Sequence, residues 1–191
     1  MMSLLKMDSK LLSDYKKSLK ECSKSDSGEP VTLSELPAYR FDEISAFEAE
    51  RYRRKKKLCS ADALYIKSDS EIYLFEFKNT RKSHISWKSV QLKAHDSLLT
   101  LQVALFPELS LQECAERTSY FLIYNDKAVQ TPEKPSESFR ELKRKLKGFA
   151  EQTDTYPVLG NMEVYQNTFY KKVYTIDVLD FEQEFLGKIY E

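Results

Sequence analysis

The chain is short of the residues that staple or break a fold. Its three cysteines, Cys22, Cys59 and Cys114, are odd in number and widely separated, with no C-x-x-C pair. That argues against a disulfide framework, a zinc site or an iron-sulfur cluster and suits a reducing intracellular compartment. Only four glycines and six prolines occur among 191 residues, of which 41% are hydrophobic and 31% charged, so collagen-like, low-complexity and largely disordered classes are excluded. Charge of one sign is missing too: 30 basic residues balance 30 acidic ones. No overall field draws the chain to nucleic acid or an anionic membrane, and any such affinity must come from local patches. No apolar run approaches the ~18 residues of a membrane span. The start meets Lys6, Asp8 and Lys10 too soon for a signal sequence. The expectation is an intracellular protein, cytoplasmic or, in a eukaryote, nuclear, and not secreted.

What is present reads as one domain over 1–191. A chain of this length buries roughly 70% of its unfolded surface and needs no metal or disulfide to fold. Leu4 to Leu19 carries a loose helical stripe, and Ser23 to Pro30 reads as a loop, so 1–30 is expected to be an appended helix and linker outside a core of about 41–180. A second helix is expected over 41–57, where Ile44, Phe47 and Arg51 share a face and Asp42 and Glu43 favour the first turn. Its end, Arg51 to Lys57, is strongly basic.

Residues 61–67 (ADALYIK) and 71–78 (EIYLFEFK) are rich in aromatic and β-branched side chains around turn residues, and predict an antiparallel hairpin. A helix follows over 86–104, with Val90, Leu98, Leu101 and Ala104 apolar and Lys88, Gln91 and His95 polar. A buried strand is expected over 119–124, a helix over 137–150 and a strand over 172–179. This order places helices around a mixed sheet, an α/β layer architecture.

The hairpin holds the informative pattern. Side chains alternate faces along a strand, so Glu76 and Lys78 project together while Phe75 and Phe77 enter the opposite layer. Asp62, near the start of the first strand, falls close to Glu76 across the ladder. Two carboxylates and a lysine on one face of a greasy hairpin form either a structural ion-pair cluster or an ion-binding site. Two hard oxygen ligands suit Mg²⁺ or Mn²⁺, with Lys78 placed to position or deprotonate an attacking water or to stabilise developing charge.

On Ala61-Asp62 and Glu76-Phe77-Lys78, with the apolar strand Ile72 to Phe75 leading in, the sequence resembles the PD-(D/E)xK nuclease superfamily, the restriction-endonuclease-like fold. Ala61 stands where that pattern has proline. The resemblance spans about 41–124. It implies a three-layer α/β/α fold with a mixed central sheet and an αβββαβ core, a divalent metal at Asp62 and Glu76, and phosphodiester hydrolysis of nucleic acid, DNA before RNA. Members commonly add a glutamate from the preceding helix, here Glu48, with Glu43 and Glu50 as competitors. Some carry a glutamine or lysine on the following helix, which Gln91 and Lys88 match loosely.

Arg51, Arg54, Arg81 and Lys88 are the expected phosphate contacts, and Trp87 is the aromatic residue to watch. His84, His95 and the Arg140 to Lys147 face read as ordinary polar surface, and Cys59 as a small buried apolar residue. Two further readings stay open. One is a non-catalytic nucleic-acid-binding or interaction module on the same fold. The other is a scaffold whose N-terminal helix recruits a protein partner or a second copy in a homodimer.

Overall fold

The computed structural model describes residues 9–25, 27–127 and 157–190. The helix expected over 137–150 and the basic Arg140 to Lys147 face lie outside the described residues. In chain order the elements are α1 (Ser9–Asp14), β1 (Lys16–Ser18), α2 (Leu19–Cys22), β2 (Pro37–Arg40), α3 (Phe41–Arg51), β3 (Ala63–Ser68), β4 (Glu71–Lys78), α4 (Trp87–Leu105), α5 (Leu111–Arg117), β5 (Thr118–Tyr124), β6 (Lys172–Asp177) and a closing helical segment α6 over 178–190 with a π-turn at its centre.

The six strands lie side by side in chain order. β1 to β4 run antiparallel, and β5 and β6 continue the sheet parallel to β4. Strands β3 and β4 are central, and β5, flanked by β4 and β6, is buried at every position, as its unbroken apolar run TSYFLIY requires. Short β1 forms one edge.

Alternation along β4 sorts the two faces. Ile72 and Leu74 pack with Ile44, Val90, Leu98, Leu101 and Cys114 against α3, α4 and α5. Phe75 and Phe77 pack on the other side with Leu19, Leu36, Phe121, Ile176 and Phe181, under α2 and α6. The architecture is therefore a mixed sheet with helices on both faces. On the second face the rings of Phe75, Phe121 and Phe181 sit 5.4 to 6.0 Å apart, pairs that each contribute about 0.5–1.5 kcal/mol beyond the area they bury. Among the described residues no helix is long and apolar enough to cross a membrane.

Three expectations need correction. Within the described part of the helix expected over 4–19, Ser9–Asp14 is helical, as α1, and the chain then leaves the helix. Residues 16–18 form the edge strand and Leu19 is fully buried, so this stretch is part of the sheet and core rather than an appendage. The helix expected to reach Lys57 ends at Arg51. Arg53 takes a left-handed conformation, and its neighbour's amide, Arg54 N–H, turns back to the Ala49 carbonyl. That Schellman-type turn satisfies the last carbonyls and sends the basic residues out of the helix. Cys59 is exposed, because its backbone is held at the surface by the Asp96 carboxylate. Strand β2 and helices α5 and α6 are not legible in the sequence pattern.

Candidate active site

The site is built where β3 begins and β4 ends. Ala63 pairs with Phe75, which sets Asp62 opposite Glu76, and the Asp62 amide donates to the Phe75 carbonyl. One Asp62 oxygen accepts the Phe77 amide at 2.8 Å, fixing the carboxyl across the ladder. On the preceding residue, the Ala61 amide donates to Ser97 Oγ on α4 at 2.7 Å. Asp62 is thus oriented from both strands and from the helix above them.

Glu76 points into the α4 face and is fully buried. Lys78, two residues on and a quarter exposed, places its ammonium 2.7 Å from Glu76 Oε1. The same-face geometry expected for Glu76 and Lys78 holds, with Phe75 and Phe77 in the opposite layer.

A fourth residue completes the cluster, and sequence reasoning missed it. Lys93 of α4 puts Nζ 2.9 Å from both Glu76 oxygens and 3.2 Å from Asp62 Oδ1. Only a quarter of its side chain is exposed. A signal exists in the helix register: Lys93 lies three residues after Val90 and four before Ser97, both buried, so it follows the sheet-facing stripe. Lys88 is exposed instead, and Gln91 donates to the Gly160 carbonyl at 3.0 Å, away from the carboxylates. Trp87 packs over Gly160 rather than standing free.

Electrostatics follow from burial. Removal from water pushes the Glu76 carboxyl up to about 7, the Asp62 charge adds to this, and Lys93 and Lys78 only partly offset it. For Lys93, burial disfavours the ammonium, yet Glu76 and Asp62 outweigh it and raise its pKa above the ordinary lysine value. Tyr120, fully buried on the same face, has its phenol raised well above the usual range by burial and then by Glu76.

The acidic contribution from α3 is not the expected one. Glu48 is buried in a small pocket with Ser45 and Arg54, facing Leu99, Thr100 and Val103 of α4. One of its oxygens takes the Arg51 guanidinium at 3.2 Å, and the other has no hydrogen-bond partner among the described residues. Glu43 is paired with Arg40 at 2.6 Å, and Glu50 is exposed. The α3 carboxylate whose charge reaches Asp62 is Asp42, half-buried in the first turn. Its pKa is raised by burial, lowered by Lys57 and raised by Asp62. The reason is topological: β2 ends beside the start of β3, and the Phe41 amide donates to the Asp62 carbonyl.

Arg51 and Arg54 are exposed, their guanidinium carbons 5.7 and 5.3 Å from the centre of the Tyr52 ring. Arg81 lies just beyond β4, at the start of a short turn over Lys82–His84. His84 is exposed and His95 stands beside Asp96, as ordinary polar residues.

Among the described residues no group of three or more His, Cys, Asp or Glu side chains is arranged to hold a metal ion. The two carboxylates nonetheless converge on one point, which the Lys93 ammonium holds. Their oxygens are the hard donors Mg²⁺ and Mn²⁺ prefer, and such ions commonly bind through one or two carboxylates with water and phosphate completing the shell. The donor set therefore fits a divalent ion in type and convergence, provided Lys93 withdraws. No family model matches the chain, and no curated protein or solved structure matches it.

Proposed function

We propose that this protein is a metal-dependent nuclease that hydrolyses phosphodiester bonds, acting inside the cell on DNA rather than RNA. The observation that carries the reading is the convergence of Asp62 and Glu76 on a single cation, with the Lys78 ammonium 2.7 Å from Glu76. The resemblance of Asp62 and Glu76-Phe77-Lys78 to the PD-(D/E)xK pattern supports it. So does the mixed sheet with helices on both faces, read as a restriction-endonuclease-like αβββαβ core. Three unpaired cysteines suit a reducing compartment.

A divalent ion at Asp62 and Glu76 would supply Lewis-acid polarisation of the phosphodiester and lower the pKa of bound water. The chain's own groups do the rest. Asp62 is locked by the Phe77 amide and Glu76 by burial, so the donor set costs little reorganisation when loaded. Lys78, partly exposed, holds its positive charge beside the point where the scissile phosphate would sit and can orient a water. Arg54 and the basic residues after α3, with Arg81 and Lys88, hold flanking phosphates.

The test is cleavage of a mixed DNA and RNA panel with Mg²⁺ or Mn²⁺ by the full chain, Asp62→Ala and Lys78→Ala. Metal-dependent cleavage by the wild type that is lost in both variants, with their folds retained by circular dichroism, supports the reading. Activity surviving both substitutions overturns it. A second reading is favoured by one specific observation, the Lys93 ammonium between the carboxylates: a non-catalytic binding module on the same fold, in which the four charges are a closed ion-pair network. That reading expects DNA binding, or protein binding, without cleavage.

A further inference from the structure

The four charged groups of the cluster sum to neutrality, with Asp62 and Glu76 against Lys78 and Lys93. The two lysines are not equivalent. Lys78 reaches Glu76, whereas Lys93 alone reaches both carboxylates, 2.9 Å from Glu76 and 3.2 Å from Asp62. A divalent ion bound by both carboxylates must take the position Lys93 Nζ holds. Lys93 is anchored by helix α4, whose Val90 and Ala94 are fully buried, so its backbone cannot retreat. Its long side chain can, because a quarter of it already meets solvent.

We propose that Lys93 is the built-in occupant of the divalent-cation position and sets the affinity of the site, so that metal and the Lys93 ammonium compete for Asp62 and Glu76. This rests on the metal-binding part of the reading above. Filling the site with a divalent ion while Lys93 stays nearby leaves the cluster with two surplus positive charges. The displaced ammonium then moves toward the solvent that already reaches its side chain, where an anion such as a phosphodiester restores neutrality. Metal and polyanion are expected to bind better together than apart.

The experiment is calorimetric titration of Mn²⁺ into the full-length wild type, Lys93→Met and Lys93→Arg at about pH 8, where the raised Glu76 carboxyl is ionised. Removing a competing charge-assisted contact should tighten Mn²⁺ binding about tenfold or more in Lys93→Met, while Lys93→Arg stays weak like the wild type. If Lys93→Met proves too unstable to titrate, thermal melts of Lys93→Gln replace it, and Mn²⁺ should raise its midpoint more than it raises that of the wild type. Unchanged or weaker binding in Lys93→Met, or a smaller rise for Lys93→Gln, overturns the competition while leaving the nuclease reading intact. Tighter binding with no cleavage by any variant leaves the competition standing and removes the nuclease. Binding by none of the proteins overturns both.

Discussion

The Lys93 ammonium lies 2.9 Å from each oxygen of Glu76, and the Glu76 carboxyl is still pushed up to about 7, because burial and the Asp62 charge outweigh both neighbouring lysines. The folded protein therefore holds the Glu76 proton more tightly than the unfolded chain does.

The sign of the resulting pH dependence is fixed by that inequality. The contribution is full below the unfolded carboxylic value near ~4.3 and is lost as pH rises through about 7. Its size is on the order of 3 kcal/mol. Lys93, raised above the ordinary lysine range, does not titrate in this window. Urea unfolding of the wild type and Glu76→Gln across that range should show the wild type losing stability relative to the variant as pH increases. A flat or opposite difference would mean that the lysines hold Glu76 as an ordinary low-pKa carboxylate. Divalent binding, which needs the ionised carboxylate, should strengthen over the same interval.

Ser97 orients the site without touching it. Its hydroxyl accepts the buried Ala61 amide at 2.7 Å, one residue before Asp62. Ser97→Ala leaves that donor unsatisfied and should cost about 1–3 kcal/mol of stability in chemical denaturation. With the start of β3 loosened, Mn²⁺ affinity should fall as well. Destabilisation with unchanged Mn²⁺ affinity would make the contact structural only.

Much of the hairpin is legible because period-two alternation is a local signal: β4 matches the expected 71–78 and β3 differs from the expected 61–67 by a residue or two. The pairing of Asp62 with Glu76 follows from the same alternation. Lys93 is obscured because helix register is read from apolar positions, and a lysine on the buried stripe reads as polar surface until its partners are known. Asp42 is less visible than Glu48 because its proximity to Asp62 depends on β2, a four-residue strand carrying Pro37 and too short for its pattern to be recognised. Arg53 hides the end of α3, since an arginine in the left-handed region carries no sequence warning comparable to glycine.

Gly160 is a position where only glycine fits. Its φ is +67°, and an added Cβ would lie 2.0 Å from the Trp87 ring. Gly160→Ala should cost more than about 2 kcal/mol from backbone strain and overpacking together. Trp87 is the sole tryptophan, so a shift in intrinsic fluorescence reports its displacement directly. The Gln91 side chain, bonded to the Gly160 carbonyl, should loosen with it. Near-native stability with unshifted emission would show that the loop can move aside at no cost.

The basic residues after α3 are the strongest candidate for a polyanion contact outside the carboxylate cluster. Arg51 to Lys57 are all exposed, and Tyr52 stands 52% exposed with two guanidiniums against its ring. Lys57 acts on Asp42, and Asp42 on Asp62, so the segment leads from the end of α3 back toward the site. Arg51 is spared as a test position because it pairs with buried Glu48, whose charge would be stranded without it. Replacing Lys55 and Lys56 together by glutamate should leave stability within about 0.5 kcal/mol, as for exposed surface away from the left-handed turn at Arg53. Fluorescence-anisotropy titrations with duplex and single-stranded DNA over a salt series should show weaker binding by the variant. For duplex DNA the slope of log K against log salt should become shallower by about 0.9 for each phosphate that the variant no longer neutralises. An unchanged slope would make the segment solvated surface and move the search for phosphate-binding residues to Arg81 and Lys88, on the other side of the carboxylates in sequence.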